Sequence, residues 1–255
     1  MIFGMKNMII PRELKPDENG IVFNELADES VDMILTDPPY GEKCRSNQRI
    51  AREKLLEFET CDILGWLDPL FKDMHRVLKN DSAIYVFTRQ STFPQFKEAM
   101  SKYFTIKNAI IWVKNNHSAG DLKCQYGPKY EMIIYGMKGK RAFERTRQSD
   151  VWYCPRVNSP DLLHAAQKPL VLLQNAIENS SKVGDLILDP FMGCASTAVA
   201  SINTGRDYFG YEMVDGVYSD GINRIANHVV GMIDDKILAH KMKVSGVMAD
   251  EIGGE

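Results

Sequence analysis

The stretch "VDMILTDPPYG", Val31–Gly41, sets an apolar run directly against a carboxylate, two prolines and an aromatic ring. "VDMILT" is apolar nearly throughout instead of alternating, as a strand buried on both faces of a sheet requires. The prolines then end it. Proline fixes its own φ and pushes the preceding residue away from helical geometry. Asp37-Pro38-Pro39 is therefore expected to be a rigid extended segment that points a carboxylate, backbone carbonyls and the Tyr40 ring one way. No following helix consumes those carbonyls, so they are left to accept hydrogen bonds from a ligand. Such a site suits a flat molecule with an exocyclic amine. The carboxylate and a proline carbonyl accept the two amine protons, and the tyrosine stacks on the ring.

Further β-rich runs recur on either side: "SAIYVF" at 82–87, "AIIWV" at 109–113, "EMIIYG" at 131–136, "DLILD" at 185–189 and "DYFGYE" at 207–212. Between them lie helical patterns. "WLDPLFKDMHRVLKN" sets Leu67, Leu70, Phe71, Met74, Val77 and Leu78 on one face. "PLVLLQNAIENSS" opens with Pro169 at a first helical position, and "SDGINRIANHVVGMIDDKIL" repeats apolar residues three and four apart. Strands alternating with helices predict an α/β doubly wound, mostly parallel sheet. Ligands in such sheets bind beyond the carboxyl ends of strands, where strand order reverses. "DLILD" also runs into a stiff turn, "PFMGCAST", so these two strand ends are where a cofactor and its substrate would meet. The tail "SGVMADEIGGE", within 243–255, is expected to fray.

Taken together, these motifs resemble the amino-methylating DNA methyltransferases (adenine-N6 and cytosine-N4) in their permuted, beta arrangement. "DPPY" is similar to the catalytic motif, "DPFMGCAST" (189–197) to the S-adenosylmethionine loop and "HAAQKP" (164–169) to the segment before it. "YFGYE" (208–212) matches the acidic strand end after it, and "IIWVKNN" with "KYEMIIYGMKG" the mid-sheet block. The resemblance spans roughly residues 31 to 225 and implies one methyltransferase domain over 1–255, with a Rossmann-like fold and small target-recognition insertions. It implies S-adenosylmethionine as cofactor and double-stranded DNA as partner, with Asp37, Pro38, Pro39 and Tyr40 catalytic. Asp189, Pro190, Phe191, Gly193, Ser196, Thr197, Glu212, Lys168 and Pro169 would bind the cofactor. Gly193 permits a tight turn, and Glu212, about 20 residues on, can grip ribose hydroxyls. The family usually has a second glycine where this chain has Ala195, and a proline where it has Ala165. These departures bear on the loop's conformation.

The exocyclic amine of adenine is a poor nucleophile, because its lone pair is delocalised into the ring. Holding it between Asp37 and the Pro38 carbonyl directs the lone pair at the methyl group, so transfer is a direct in-line displacement helped by positioning and electrostatics. No catalytic cysteine is then expected, and Cys44 and Cys194 read as small packing residues. The base must leave the duplex, with Tyr40 as its stacking partner. Aspartate at the first motif position usually accompanies adenine. The alternatives are cytosine N4, an RNA or protein-amide methyltransferase, and a DNA-binding subunit without turnover.

The chain has 255 residues, 44% hydrophobic and 25% charged, with net charge −3, as an ordinary globular protein does. No apolar run is long enough to cross a bilayer, and the N-terminus reads as mature protein. The five cysteines have no metal-ligand or redox spacing, which fits a reducing, cytoplasmic setting. Two basic islands interrupt the acidic chain. Residues 41–54 hold Lys43, Arg45 and Arg49, and residues 138–147 hold Lys140, Arg141, Arg145 and Arg147. The segments 41–60 and 138–163, with 114–129 beside them, are the expected DNA face. Neutralising Arg145 and Arg147 is expected to flatten the salt dependence of DNA binding. A homodimer and a cognate restriction enzyme are left open as further partners.

Overall fold

A computed structural model describes residues 6–40, 63–117, 123–124, 126–157, 162 and 167–252. The strands are β1 (Met8–Pro11), β2 (Val31–Thr36), β3 (Leu78–Thr88), β4 (Thr105–Val113), β5 (Tyr130–Lys138), β6 (Val151–Tyr153), β7 (Leu186–Asp189) and β8 (Asp207–Glu212). The helices are α1 (Ile63–Val77), α2 (Phe93–Ser101), α3 (Leu170–Ser180), α4 (Ser196–Asn203) and α5 (Asp215–Ile252). The strands form one sheet in the order β1-β8-β7-β2-β3-β5-β4-β6. Every pairing is parallel except those of β5, which runs against both β3 and β4. Chain order departs in opposite directions from the β7–β2 pair, so the switch point falls between those two strands.

The apolar runs work as their pattern requires. In β2, Ile34 faces a core built with α1 and α2 (Leu70, Phe71, Phe96), while Met33 and Leu35 face a second core built with α3 (Leu172, Leu173, Ile177). Strand β7 is buried along its whole length. Helices thus cover both faces of the sheet, and its centre holds the strand ends rigidly.

The structure departs from the sequence reading in four places. Leu78 belongs to β3, not to the preceding helix, which ends at Val77. Its apolar side chain is buried either way, so periodicity could not separate the two assignments. Pro169 is the extended N-cap of α3, one residue before the helix. The tail beyond 243 continues α5 as helix to Ile252, with no proline to stop it. Finally, β1 and β6 were not foreseen. Among the described residues no helix is long and apolar enough to cross a membrane.

Candidate active site

Asp37 follows the last residue of β2, and Asp189 is the last residue of β7. A single hydrogen bond ties these neighbouring strand ends together: Thr36 Oγ1 donates to Asp189 Oδ1 at 2.7 Å. Asp189 also accepts from Thr197 Oγ1 at 2.6 Å and from the Phe191 amide at 3.0 Å. With 3% exposure and three internal donors, Asp189 splices the two loops together. Thr197 is spent on that splice. Ser196 accepts from Arg224 of α5 at 2.9 Å, and both hydroxyl residues are buried.

Burial pushes the Asp189 carboxyl up to about 6, and the Thr197, Thr36 and Phe191 donors oppose the rise. In the unfolded chain it titrates near 3.9. Between roughly pH 4 and 6 the native state therefore holds a proton that the unfolded chain has lost. Stability from this group is full below pH 4 and declines as pH rises through 6, by on the order of 3 kcal/mol. Asp189→Asn is expected to lack that decline in urea unfolding at pH 4.5 and 7. Parallel curves for the two proteins would mean an ordinary Asp189.

The turn after β7 is held from both sides. Glu212, at the end of β8, accepts the Gly193 amide at 2.9 Å and the Val214 amide at 2.8 Å. Burial raises its carboxyl above the ordinary value, and these amides oppose the rise. Gly193 has φ +54°, and among the described residues, its chain neighbours apart, no atom lies within 4 Å of where its Cβ would be. The backbone there is open to close approach by a ligand. Ala195 takes a left-handed φ of +61°, so the chain keeps the conformation of the glycine it lacks. Gly221 of α5 leaves the room for its methyl group, since a Cβ there would lie 3.3 Å from Ala195 Cβ. Arg224 Nη1 closes the turn by donating to the Cys194 carbonyl at 3.0 Å. Pro190 is buried, and Phe191 is half-buried against the core shared by α1 and α2. Burial raises the Cys194 thiol, as suits a packing residue.

On the other strand end, both oxygens of Asp37 are engaged. The Tyr40 hydroxyl donates to Oδ1, and the Lys168 ammonium donates to Oδ2. Lys168, read from the sequence as a cofactor-binding residue, thus bonds to the catalytic loop. Tyr40 leans edge-on against Phe96, with ring centroids 6.3 Å apart, and Arg89 lies over its ring at 4.9 Å. Burial and the Asp37 charge both push the phenol well above its ordinary pKa. Pro38 is buried and Pro39 half-buried, so the segment is fixed at its base.

Sequence reasoning missed Glu131, the second residue of β5. It pairs with Lys114 and stands 3.3 Å from Lys168 Nζ. Burial pushes Glu131 up, but the Lys168 and Lys114 charges outweigh it and hold the carboxyl well below its usual range. A charged residue opening a strand that dives into the core was the available signal.

The basic islands fare differently. Lys43, Arg45 and Arg49, with the whole of 41–60, lie outside the described residues, as do His164 and Ala165. Lys140, Arg141, Arg145 and Arg147 follow β5, whose antiparallel course carries them to the end of the sheet opposite Asp37. Nine residues of strand cover roughly 27 Å. Arg141 is paired with Glu144 and Arg145 with Glu178. This island is not at the crevice. The described residues on either side of the β4–β5 connection, Lys114 and Lys129 among them, are, because β4 ends and β5 begins there.

A family model described as DNA methylase matches residues 31–222. The DNA adenine methyltransferase YhdJ of Escherichia coli K12 is 30% identical over 237 residues, covering 78% of each chain. Among solved structures, the M1.HpyAVI–SAM complex matches with TM-score 0.58 at 22% identity, over 79% of this chain and 92% of that one. The cytosine-N4-specific PvuII DNA methyltransferase matches with TM-score 0.64 at 13% identity, over 87% and 89%. Both structures share the fold of this chain. With three quarters of its length under the family model, this chain belongs to the N6/N4 DNA methylase family.

Proposed function

We propose that the chain is a DNA (adenine-N6)-methyltransferase that takes its methyl group from S-adenosylmethionine. One observation carries the reading. The Asp37 carboxylate and the glycine turn leave adjacent strand ends at the switch point, and the Thr36–Asp189–Thr197 bonds lock them into one unit. An amine held at Asp37 is thereby held at fixed distance from whatever sits on Gly193.

The residues present fit the cofactor. The open backbone at Gly193, the Phe191 ring and the Glu212 carboxylate would hold it. When bound, S-adenosylmethionine supplies a methyl group activated on a sulfonium. The chain's own part is to bind and orient. Asp37 and the Pro38 carbonyl accept the two amine protons, which turns the nitrogen lone pair out of conjugation and toward the cofactor side. Fixed orientation of this kind supplies most of the acceleration in such a displacement. The proton released from the amine passes to solvent or to a carboxylate of the crevice.

DNA would approach the carboxyl ends of β3, β4 and β6. Arg89, Lys123, Lys129 and Arg156 are exposed there, together with Tyr126 and Tyr153. The target base leaves the duplex, and Tyr40 exchanges its contacts with Phe96 and Arg89 for a stack on that base. Aspartate at position 37 and the 30% identity to a DNA adenine methyltransferase favour adenine over cytosine.

The test is to incubate the protein with methyl-labelled S-adenosylmethionine and unmethylated DNA, then digest the DNA to nucleosides. Label in N6-methyladenine is expected. Label in N4-methylcytosine would keep the mechanism and overturn the base assignment, and unlabelled DNA would overturn the substrate.

A further inference from the structure

Lys168 is a buried cation between two carboxylates, and only one of them holds it by a hydrogen bond. Its ammonium donates to Asp37 Oδ2. Glu131 Oε2 lies 3.3 Å away, inside ion-pair reach. Yet that oxygen is buried and, among the described residues, accepts no well-aligned hydrogen bond: the Lys168 contact is close enough for one but not directed at it. The other oxygen of Glu131 is taken by Lys114. Four alternating charges thus run Lys114, Glu131, Lys168, Asp37, with one idle acceptor in the middle. An unsatisfied buried acceptor is costly, and more so when it is charged. The fold retains it beside a cation that needs to move less than about 1 Å to reach a charge-assisted bond length.

The resting arrangement conflicts with the work Asp37 is read to do. Tyr40 and Lys168 occupy its two oxygens, and the lysine's charge weakens the carboxylate as an acceptor for a neutral amine. We propose that Lys168 alternates between the two carboxylates, resting on Asp37 and passing to Glu131 Oε2 when an amine substrate engages Asp37. Glu131 is then a positioning residue. It sets how readily Asp37 becomes available, without touching the substrate. The Phe87 ring, 5.0 Å from Lys168 Nζ, walls the ammonium in so that the choice lies between these acceptors. The inference rests on the reading of Asp37 as the amine acceptor.

Two measurements test it. The first is a crystal structure of full-length Asp37→Ala. Lys168 Nζ is expected within about 3 Å of Glu131 Oε2 and aligned with it. An ammonium that stays at its present separation, or turns to solvent, would overturn the alternation. The second is kinetics of Glu131→Gln, which keeps the shape and removes the waiting charge. kcat on DNA is expected to fall at least tenfold, with KM for S-adenosylmethionine within twofold, and Glu131→Asp is expected to recover part of the loss. A kcat within twofold of the parent would sink the proposal, as would an equal loss of kcat and cofactor affinity with no recovery by aspartate. If the parent protein methylates no DNA, the substrate reading fails on its own, and the Asp37→Ala structure still decides the alternation.

Discussion

Asp37→Ala is expected to lose methyl transfer by on the order of 10²–10³-fold or more while S-adenosylmethionine still binds. Removing one preorganised polar group at a reacting centre typically costs that much. Here the carboxylate also orders its neighbours, because the Tyr40 hydroxyl and the Lys168 ammonium both end on it. Cofactor affinity is insulated from the change. The turn carrying Gly193 is braced by Asp189, Glu212 and Arg224, none of which bonds to Asp37. Isothermal titration with the cofactor should therefore agree within about threefold between the two proteins, while the labelled-DNA assay separates them. Asp37→Asn refines the result. It keeps one acceptor oxygen and the shape, so activity above the alanine variant would assign part of the effect to geometry and the rest to charge. Near-normal turnover in Asp37→Ala would remove this residue from the chemistry.

The central strands were legible because burial on both faces forces an unbroken apolar run. "VDMILT" and "DYFGYE" match β2 and β8 residue for residue. The crevice followed from "VDMILT" and "DLILD", since each runs straight into a proline-bearing turn. Strands β1 and β6 have four and three residues, too few to display a period, and they form only because a neighbouring strand presents a free edge. The misplacement of the 138–147 island has a different cause. Charge density is local, but its position depends on β5 running antiparallel, a fact of pairing that its own residues do not announce. The partners of Lys168 were hidden for a related reason. Its motif neighbours pointed to the cofactor, whereas its partners Asp37 and Glu131 lie 131 and 37 residues away in sequence. Isolated motifs identify strand ends, and the sheet decides which side chains meet between them.

Gly210→Ala, in the middle of β8, is expected to destabilise the fold by about 1–3 kcal/mol and to weaken cofactor binding at least tenfold, a far larger effect than one methyl group usually has. A Cβ at this position would lie 2.7 Å from the Asp189 carbonyl oxygen and 2.2 Å from Met192 Cε. The methionine tip can move aside. The carbonyl cannot, because it belongs to the strand end that carries the splice to Thr36 and Thr197. Relief must come from β8 parting from β7 or from the turn shifting, and either moves Gly193 away from Glu212. Alanine adopts strand φ/ψ without strain, and losing a glycine stabilises by about 0.4–1 kcal/mol where the new side chain fits. Any net loss therefore reports the clash. Gly231→Ala supplies the contrast: within helix α5, with nothing within 4 Å of its Cβ, it should stabilise by up to about 1 kcal/mol. Urea unfolding and cofactor titration on the two variants separate the cases. If Gly210→Ala unfolds within about 0.5 kcal/mol of the parent and binds the cofactor equally well, the close approach of β8 does not pin the turn, because surface-like changes of that size mark the absence of a packing conflict. The geometry of the cofactor side would then rest on Arg224 and α5 instead of on the strand.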